Sequence, residues 1–294
     1  MSEKPADVVA VDEYVSADDP YLDFCLWPYK PPAISGRKRR SLSLLALSFE
    51  ICGVAEEGRR VVDALQRSIG PFTTVWGLKW VEGVMRWELY FYDYRRLERE
   101  RSITRVLDAL RPIVPCDVAP DEGRPYFMFS LDLTVPMLRG ASPLEEVHVY
   151  VGNVGSAVSS GICYSATRHG TTLENIYFFF DAAREMDQIV GKMCCSAHLD
   201  LADVDVDAIL RPELRDCQTI VVANKRLSDG IYFSRIDVDQ LRWFLARFDY
   251  PQPMVSFVDQ RRGELDHLLY DVGFDYRLER GRLRILKSGF YGIF

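Results

Sequence analysis

The chain has 294 residues, 48% of them hydrophobic and 27% charged, with a net charge of −7. That length can bury one sizeable core or two small ones, and the composition excludes general disorder. The acidic balance supplies no positive field to draw the protein to nucleic acid or anionic lipid.

The opening stretch, residues 1–14, is acidic and has no apolar h-region, which argues against a secretory signal. The longest early apolar run, Leu42 to Ile51, is interrupted by Ser43, Ser48 and Glu50 and has about half the length of a membrane span. A cytoplasmic protein without a membrane partner is expected. Seven cysteines, with no CxxC spacing, are read as buried, reduced thiols.

Residues 1–40 are polar and then Pro-rich, and they read as a flexible, extended leader that packs only in part, ahead of a single domain over 41–294. The basic run Arg37-Lys38-Arg39-Arg40 reads as a solvated helix start. Leu42–Ile69 has helical spacing interrupted near Gly53. A hairpin follows: Thr74–Val81, a turn at Glu82-Gly83, and Met85–Asp93. Ile103, Val106, Leu107 and Leu110 then share one helical face that stops at Pro112. Strands are expected at Tyr126–Thr134 and Val147–Asn153, then at Gly161–Arg168 and Leu173–Phe180. Helical segments follow at 182–194 and 206–214. The fourth hairpin pairs Gln218–Lys225 with Ile231–Ile236 through Ser228-Asp229-Gly230, Asp-Gly being a strong turn signal. Asp237 is a plausible N-cap for the next helix. A further helix over 258–270 leads to Val272–Leu278, a turn near Arg280-Gly281, and Leu283–Phe290.

Five hairpins interleaved with helices describe an α+β chain of repeated αββα units. Ten strands must dispose of their edges, and closing into an antiparallel barrel with helices outside does so. Two stacked α+β halves would satisfy the same pattern.

Strand residues alternate between faces. In Met85–Asp93, Trp87, Leu89 and Phe91 suit packing on helices, whereas Arg86, Glu88, Tyr90 and Tyr92 suit a polar lumen. The matching face elsewhere carries Gly77 and Lys79, His148 and Tyr150, Tyr177, Tyr232, and Lys287 with Tyr291. Cations neutralise a diphosphate, and tyrosine rings shield a developing allyl cation. A solvated sheet face would show the same alternation strand by strand, but 15 tyrosines and 16 phenylalanines fit a packed lumen better.

The segment from Ile220-Val221-Val222-Ala223-Asn224 through Asp229-Gly230-Ile231-Tyr232-Phe233 to Lys287-Ser288-Gly289-Phe290 resembles the cyanobactin-type peptide prenyltransferases of the αββα-barrel (ABBA) group. Met85-Arg86-Trp87-Glu88-Leu89-Tyr90-Phe91-Tyr92-Asp93 is similar to that family's strand with an arginine, aromatics and an acid. The resemblance spans roughly residues 70–294. It implies a ten-stranded barrel, a dimethylallyl or longer allylic diphosphate donor with Mg²⁺ on the diphosphate, and a side chain of a ribosomal, often cyclic, peptide as acceptor. It implies diphosphate contacts from Arg86 and Lys79, and a lining of Tyr150, Tyr177, Lys225, Tyr232, Lys287 and Tyr291. The family's acid on the first strand is missing from Val75-Trp76-Gly77-Leu78, so Glu88, Asp132 or Glu82 would take the proton, with His148 a further acid or base. A small-molecule aromatic acceptor, or a barrel that binds a peptide or isoprenoid without turnover, are the alternatives. Asp18-Asp19 superficially matches an aspartate-rich run but has the wrong spacing, and Asp203 to Asp207 lacks the turn glycine and the placed Glu of a calcium loop. No protein-held metal is expected.

Overall fold

The computed structural model describes residues 13–16, 22–32, 36–95, 98–119, 121–153, 159–199 and 205–294. A short hairpin, β1 (Asp23–Cys25) and β2 (Trp27–Tyr29), comes first. Helices α1 (Leu42–Ile51) and α2 (Ala55–Ile69) precede β3 (Thr74–Val81) and β4 (Val84–Tyr92). Then come α3 (Ile103–Leu110), β5 (Met128–Leu133), α4 (Val135–Leu138), β6 (Glu146–Gly152), β7 (Ser160–Thr167), β8 (Gly170–Asp181), α5 (Met186–Met193) and α6 (Asp207–Leu210). The chain ends with β9 (Thr219–Lys225), β10 (Asp229–Ile236), α7 (Val238–Arg247), α8 (Gln252–Gln260), α9 (Arg262–Leu265), β11 (Tyr270–Glu279) and β12 (Arg282–Ile293).

Strands β3 to β12 form a closed barrel in which every neighbour is antiparallel and adjacent in sequence, with β12 closing on β3. Closure leaves no unpaired barrel edge. Tyr291 pairs with Gly77 and Ile293 with Val75 in the closing ladder. Phe294 pins the seam, its N–H donating to the Thr74 carbonyl at 2.9 Å.

Period-2 alternation sorts the barrel wall as expected. Trp87, Leu89 and Phe91 point outward and are fully buried with Phe129, Leu131, Val147, Ile220, Val222, Phe274 and Phe290 beneath the helices. Each helix turns an apolar stripe onto this wall: Val61, Val62 and Leu65 from α2; Ile103, Val106, Leu107 and Leu110 from α3. Trp87 stacks on Phe49 at 5.0 Å and donates from Nε1 to Ser48 Oγ at 2.7 Å, satisfying its only polar atom. Ser102 caps α3 by accepting from the Arg105 N–H, and Asp237 forms a capping box with Gln240 on α7.

Several expectations are corrected. The basic run is not a solvated helix start. Arg39 is buried and pairs with Glu264 at 2.6 Å, Lys38 pairs with Asp266 at 2.6 Å, and Arg40 approaches Glu13. Within the leader, β1–β2 packs against the barrel. Leu26 N–H donates to Asp271 Oδ2 at 2.6 Å, and Tyr29 Oη accepts from the Leu269 N–H at 2.8 Å. Residues 1–12, Asp18, Asp19 and Asp203 lie outside the described residues. Asp229-Gly230 is not the turn but the start of β10, pairing with Asn224 and Ala223. The helix expected over 258–270 starts earlier, at Gln252, because Pro251 and Pro253 suit a first helical turn. The repeats are also uneven, since α4 lies inside the second hairpin. The seven cysteines are free thiols; Cys25 and Cys163 are buried, but Cys194 and Cys195 are exposed. Among the described residues, no helix is long and apolar enough to cross a membrane.

Candidate active site in the barrel lumen

Inward-facing side chains form three tiers because residues two apart on each strand occupy successive levels. The tier toward the hairpin turns is charged. Lys79 Nζ lies 2.7 Å from Glu88 Oε2 and 2.9 Å from Asp132. Lys225 Nζ lies 2.7 Å from Asp275 and 2.9 Å from Tyr232 Oη, and Lys287 reaches Asp275 at 3.2 Å. Three lysines thus face three carboxylates. His148 belongs to the same tier. One ligand-type atom from each of Glu88, Asp132 and His148 falls within 4.8 Å of the others.

Lys79, Glu88 and Asp275 are held ionised by their neighbours. Burial alone would lower Lys79, but Asp132 and Glu88 lift it above the usual lysine range. Burial alone would raise Glu88, yet Lys79, then Lys287 and His148, pull it down to about 2. Asp275 is likewise held low against burial by Lys225 and Lys287. Lys287 is the exception. Burial, with Lys225 and Lys79 nearby, outweighs its contact with Asp275 and lowers it. It is the cation most short of negative charge.

The middle tier is a ring of tyrosines, one from the second strand of every barrel hairpin: Tyr90, Tyr150, Tyr177, Tyr232 and Tyr291. Each pairs with a small residue on the first strand of the next hairpin: Ser130, Cys163, Ala223, Gly273 and Gly77 respectively. That large–small alternation lets five rings share one level. A Cβ on Gly273 would come within 2.2 Å of the Tyr232 ring, and one on Gly77 within 2.7 Å of Tyr291. Successive ring centroids run 5.9 Å from Tyr291 to Tyr90, then 6.2 Å to Tyr150, 6.1 Å to Tyr177 and 6.3 Å to Tyr232. Burial first, and then neighbouring hydroxyls and carboxylates, push all five well above the ordinary phenol range, so they are neutral hydrogen-bond donors.

The tyrosines line two cavities. Toward the charged tier lies a polar space of about 60 Å³. On the other side lies an apolar chamber of about 450 Å³, walled by Val75, Tyr92, Met128, Phe179 and Val221 and roofed by Phe24, Leu26 and Trp27 of β1–β2. Trp27 and Tyr94, 50% and 65% exposed, stand at its rim. Asp271 is the carboxylate in this chamber wall; burial raises it to about 6 despite hydrogen bonds from Ser234, Leu26 and Cys25.

Of the sequence-derived site residues, Lys79, Glu88, Asp132, His148, Tyr150, Tyr177, Lys225, Tyr232, Lys287 and Tyr291 converge on the lumen. Arg86 does not. It is exposed, stands two residue pairs nearer the turn than Glu88, and lines neither cavity. Glu82, with positive φ in the turn, pairs with Arg284 and is too remote to act as base. Sequence reading missed Asp275 and Asp271. They share the inward face of β11 with Gly273, a period-2 signal obscured by the apolar residues between them. It also missed the β1–β2 roof, which is distant in sequence from every strand it covers.

The donor set also bears on metal binding. Lys79 Nζ occupies the position between Glu88 and Asp132 that a cation would need, so these residues do not form a protein cage for Mg²⁺. No family model and no curated protein matches this chain.

Proposed function

We propose that this protein is a prenyltransferase of the cytoplasm. It ionises an allylic diphosphate, such as dimethylallyl diphosphate, and transfers the prenyl group to a side chain of a ribosomal peptide. The observation that carries this reading is the tyrosine ring separating a lysine-bearing tier from an apolar chamber. Lys79, Lys225 and Lys287 would receive the diphosphate, with Lys287 gaining most from an added anion. The role first given to Arg86 passes to these lysines. Mg²⁺ would arrive on the diphosphate as part of the donor, since its preferred ligands are phosphate oxygens and water. The polar space is too small for a diphosphate while all the ion pairs are closed, so the donor must displace carboxylates from lysines.

The carbon–oxygen bond of the donor breaks heterolytically, and the diphosphate leaves with the electron pair. The tyrosine π-faces would stabilise the allyl cation while the surrounding walls exclude water. An electron-rich acceptor group, reaching from the apolar chamber to the tyrosine ring, supplies the pair for the new bond and then loses a proton to Glu88 or Asp132. Glu88 is a weak base, but the proton of an alkylated arene or hydroxyl is very acidic, so a weak base suffices. The exposed rim aromatics Trp27 and Tyr94 favour an acceptor carried on a peptide that stays partly outside.

The even match of three lysines by three carboxylates favours one rival, a barrel that binds an isoprenoid or peptide without turnover. Thermal stability against a panel of allylic diphosphates, with and without Mg²⁺, tests the donor site. A Mg²⁺-dependent rise for one chain length is expected; no rise with any donor would remove the reading. Diphosphate release with an acceptor peptide then separates enzyme from binder.

A further inference from the structure

The β5–β6 ladder is the shortest in the barrel. It holds only Met128–Tyr150, Phe129–Val149 and Ser130–His148. Beyond His148, toward the turns, Asp132 and Glu146 continue on the two strands without pairing. Their side chains are 35% and 46% exposed, whereas those of Glu88 and Lys79 are almost fully buried. The charged tier therefore meets solvent along a lateral slit between β5 and β6, as it also does at Lys287 on β12, and His148 stands at the inner end of the slit. The imidazole Nδ1 is buried with no hydrogen-bond partner among the described residues, while Nε2 lies 3.8 Å from the Glu146 carboxylate. The ring thus joins an unused interior nitrogen to an exposed acid.

We propose that this slit is the proton outlet of the barrel and that His148 carries the proton from Glu88 to solvent. The inference rests on the prenyl-transfer reading. That reaction releases one proton per turnover at a buried site, and Glu88 cannot keep it and act again. The trio lies within 4.8 Å, close enough for single bridging waters to link Glu88 and His148. The adjoining polar cavity of about 60 Å³, lined by Lys79, Glu88 and His148, has room for a few of them. Once the diphosphate has left, Lys79 closes on Glu88 again and favours its carboxylate form, so Glu88 gives up the proton. The groups facing His148 are Glu88, Asp132 and Lys79 inside and Glu146 outside, with Ser165 paired opposite and bonded to Glu146. The proton passes from Glu88 through water to the imidazole, the other ring nitrogen releases one to water at the slit, and no electron changes hands.

The test is H148N in the full-length protein, with turnover read as diphosphate release alongside prenylated product. A fall of about a hundredfold in kcat with little change in KM, and partial recovery on adding free imidazole, is the expected result. H148Q provides a second variant if H148N does not fold. An unchanged kcat, or a loss that imidazole does not restore in either folded variant, overturns the outlet while prenyl transfer stands. Wild-type protein that releases no diphosphate with any donor and acceptor overturns the function, and the outlet with it.

Discussion

The two ends of the lumen solve the burial of polar groups in opposite ways. At the turn end, charges are buried in mutually compensating sets, Lys79 with Glu88 and Asp132, and Lys225 and Lys287 with Asp275. At the other end a large chamber is walled by aromatic and aliphatic groups, and Asp271 is buried there with hydrogen bonds but, among the described residues, no cation on it. The first arrangement keeps Glu88 and Asp275 ionised; the second pushes Asp271 toward the neutral form. Burial is common to both, so the presence of a buried counter-charge decides the sign.

Removing one partner from the charged tier should have the largest effect. Lys79→Met leaves Glu88 and Asp132 without their cation, and breaking such a buried pair costs about 3–5 kcal/mol. Urea denaturation should show that loss, and donor binding should disappear. A loss under about 1 kcal/mol would mean that Lys79 is not the tier's keystone.

Next in size is a pH dependence that differs between the two ends. Asp271 has a folded value of about 6, above its ordinary 3.8, so between these values the native state binds more protons than the unfolded chain. Its contribution to stability is therefore greatest below pH 4 and declines through pH 6, by up to about 3 kcal/mol. Glu88, pulled from 4.5 to about 2, behaves oppositely: its contribution is complete above pH 4.5 and is lost as pH falls toward 2. Denaturation midpoints measured from pH 4 to 6.5 should slope less in D271N than in wild type. Parallel curves would refute the assignment.

Gly273→Ala probes the boundary between the two ends. Its methyl group would displace the Tyr232 ring and should cost about 1–3 kcal/mol, with loss of donor binding. The smallest effect is expected at Arg86, the exposed cation outside both cavities. Arg86→Ala should leave stability within about 0.5 kcal/mol and donor affinity unchanged. A large drop in affinity would return the residue to the donor site.

Legibility followed locality. Strand β3 and helix α3 match their expected limits because an uninterrupted apolar period and local stop signals bound them. The alternation on β4 was enough to separate Trp87, Leu89 and Phe91 from Glu88 and Tyr90. The Asp-Gly pair misled because Gly230 serves a different need. A Cβ on it would come within 2.8 Å of the Asp275 carboxylate and would not fit, while the turn lies just before it. Arg39 misled for a similar reason: Glu264 and the rings of Tyr14 and Phe257 remove it from solvent, and none is near it in sequence.

What the amino-acid sequence determined by itself was the hairpin count, the inward and outward faces of the strands, and the presence of cations and tyrosines on one face. Those properties repeat within a few residues and need no partner. The levelling of five tyrosines into one ring, the pairing of each lysine with its carboxylate, the slit beside His148 and the roof supplied by β1–β2 were decided only by the tertiary structure. Each depends on the stagger between strands at closure or on a segment folding back across the barrel, and such long-range register leaves no local periodicity to read.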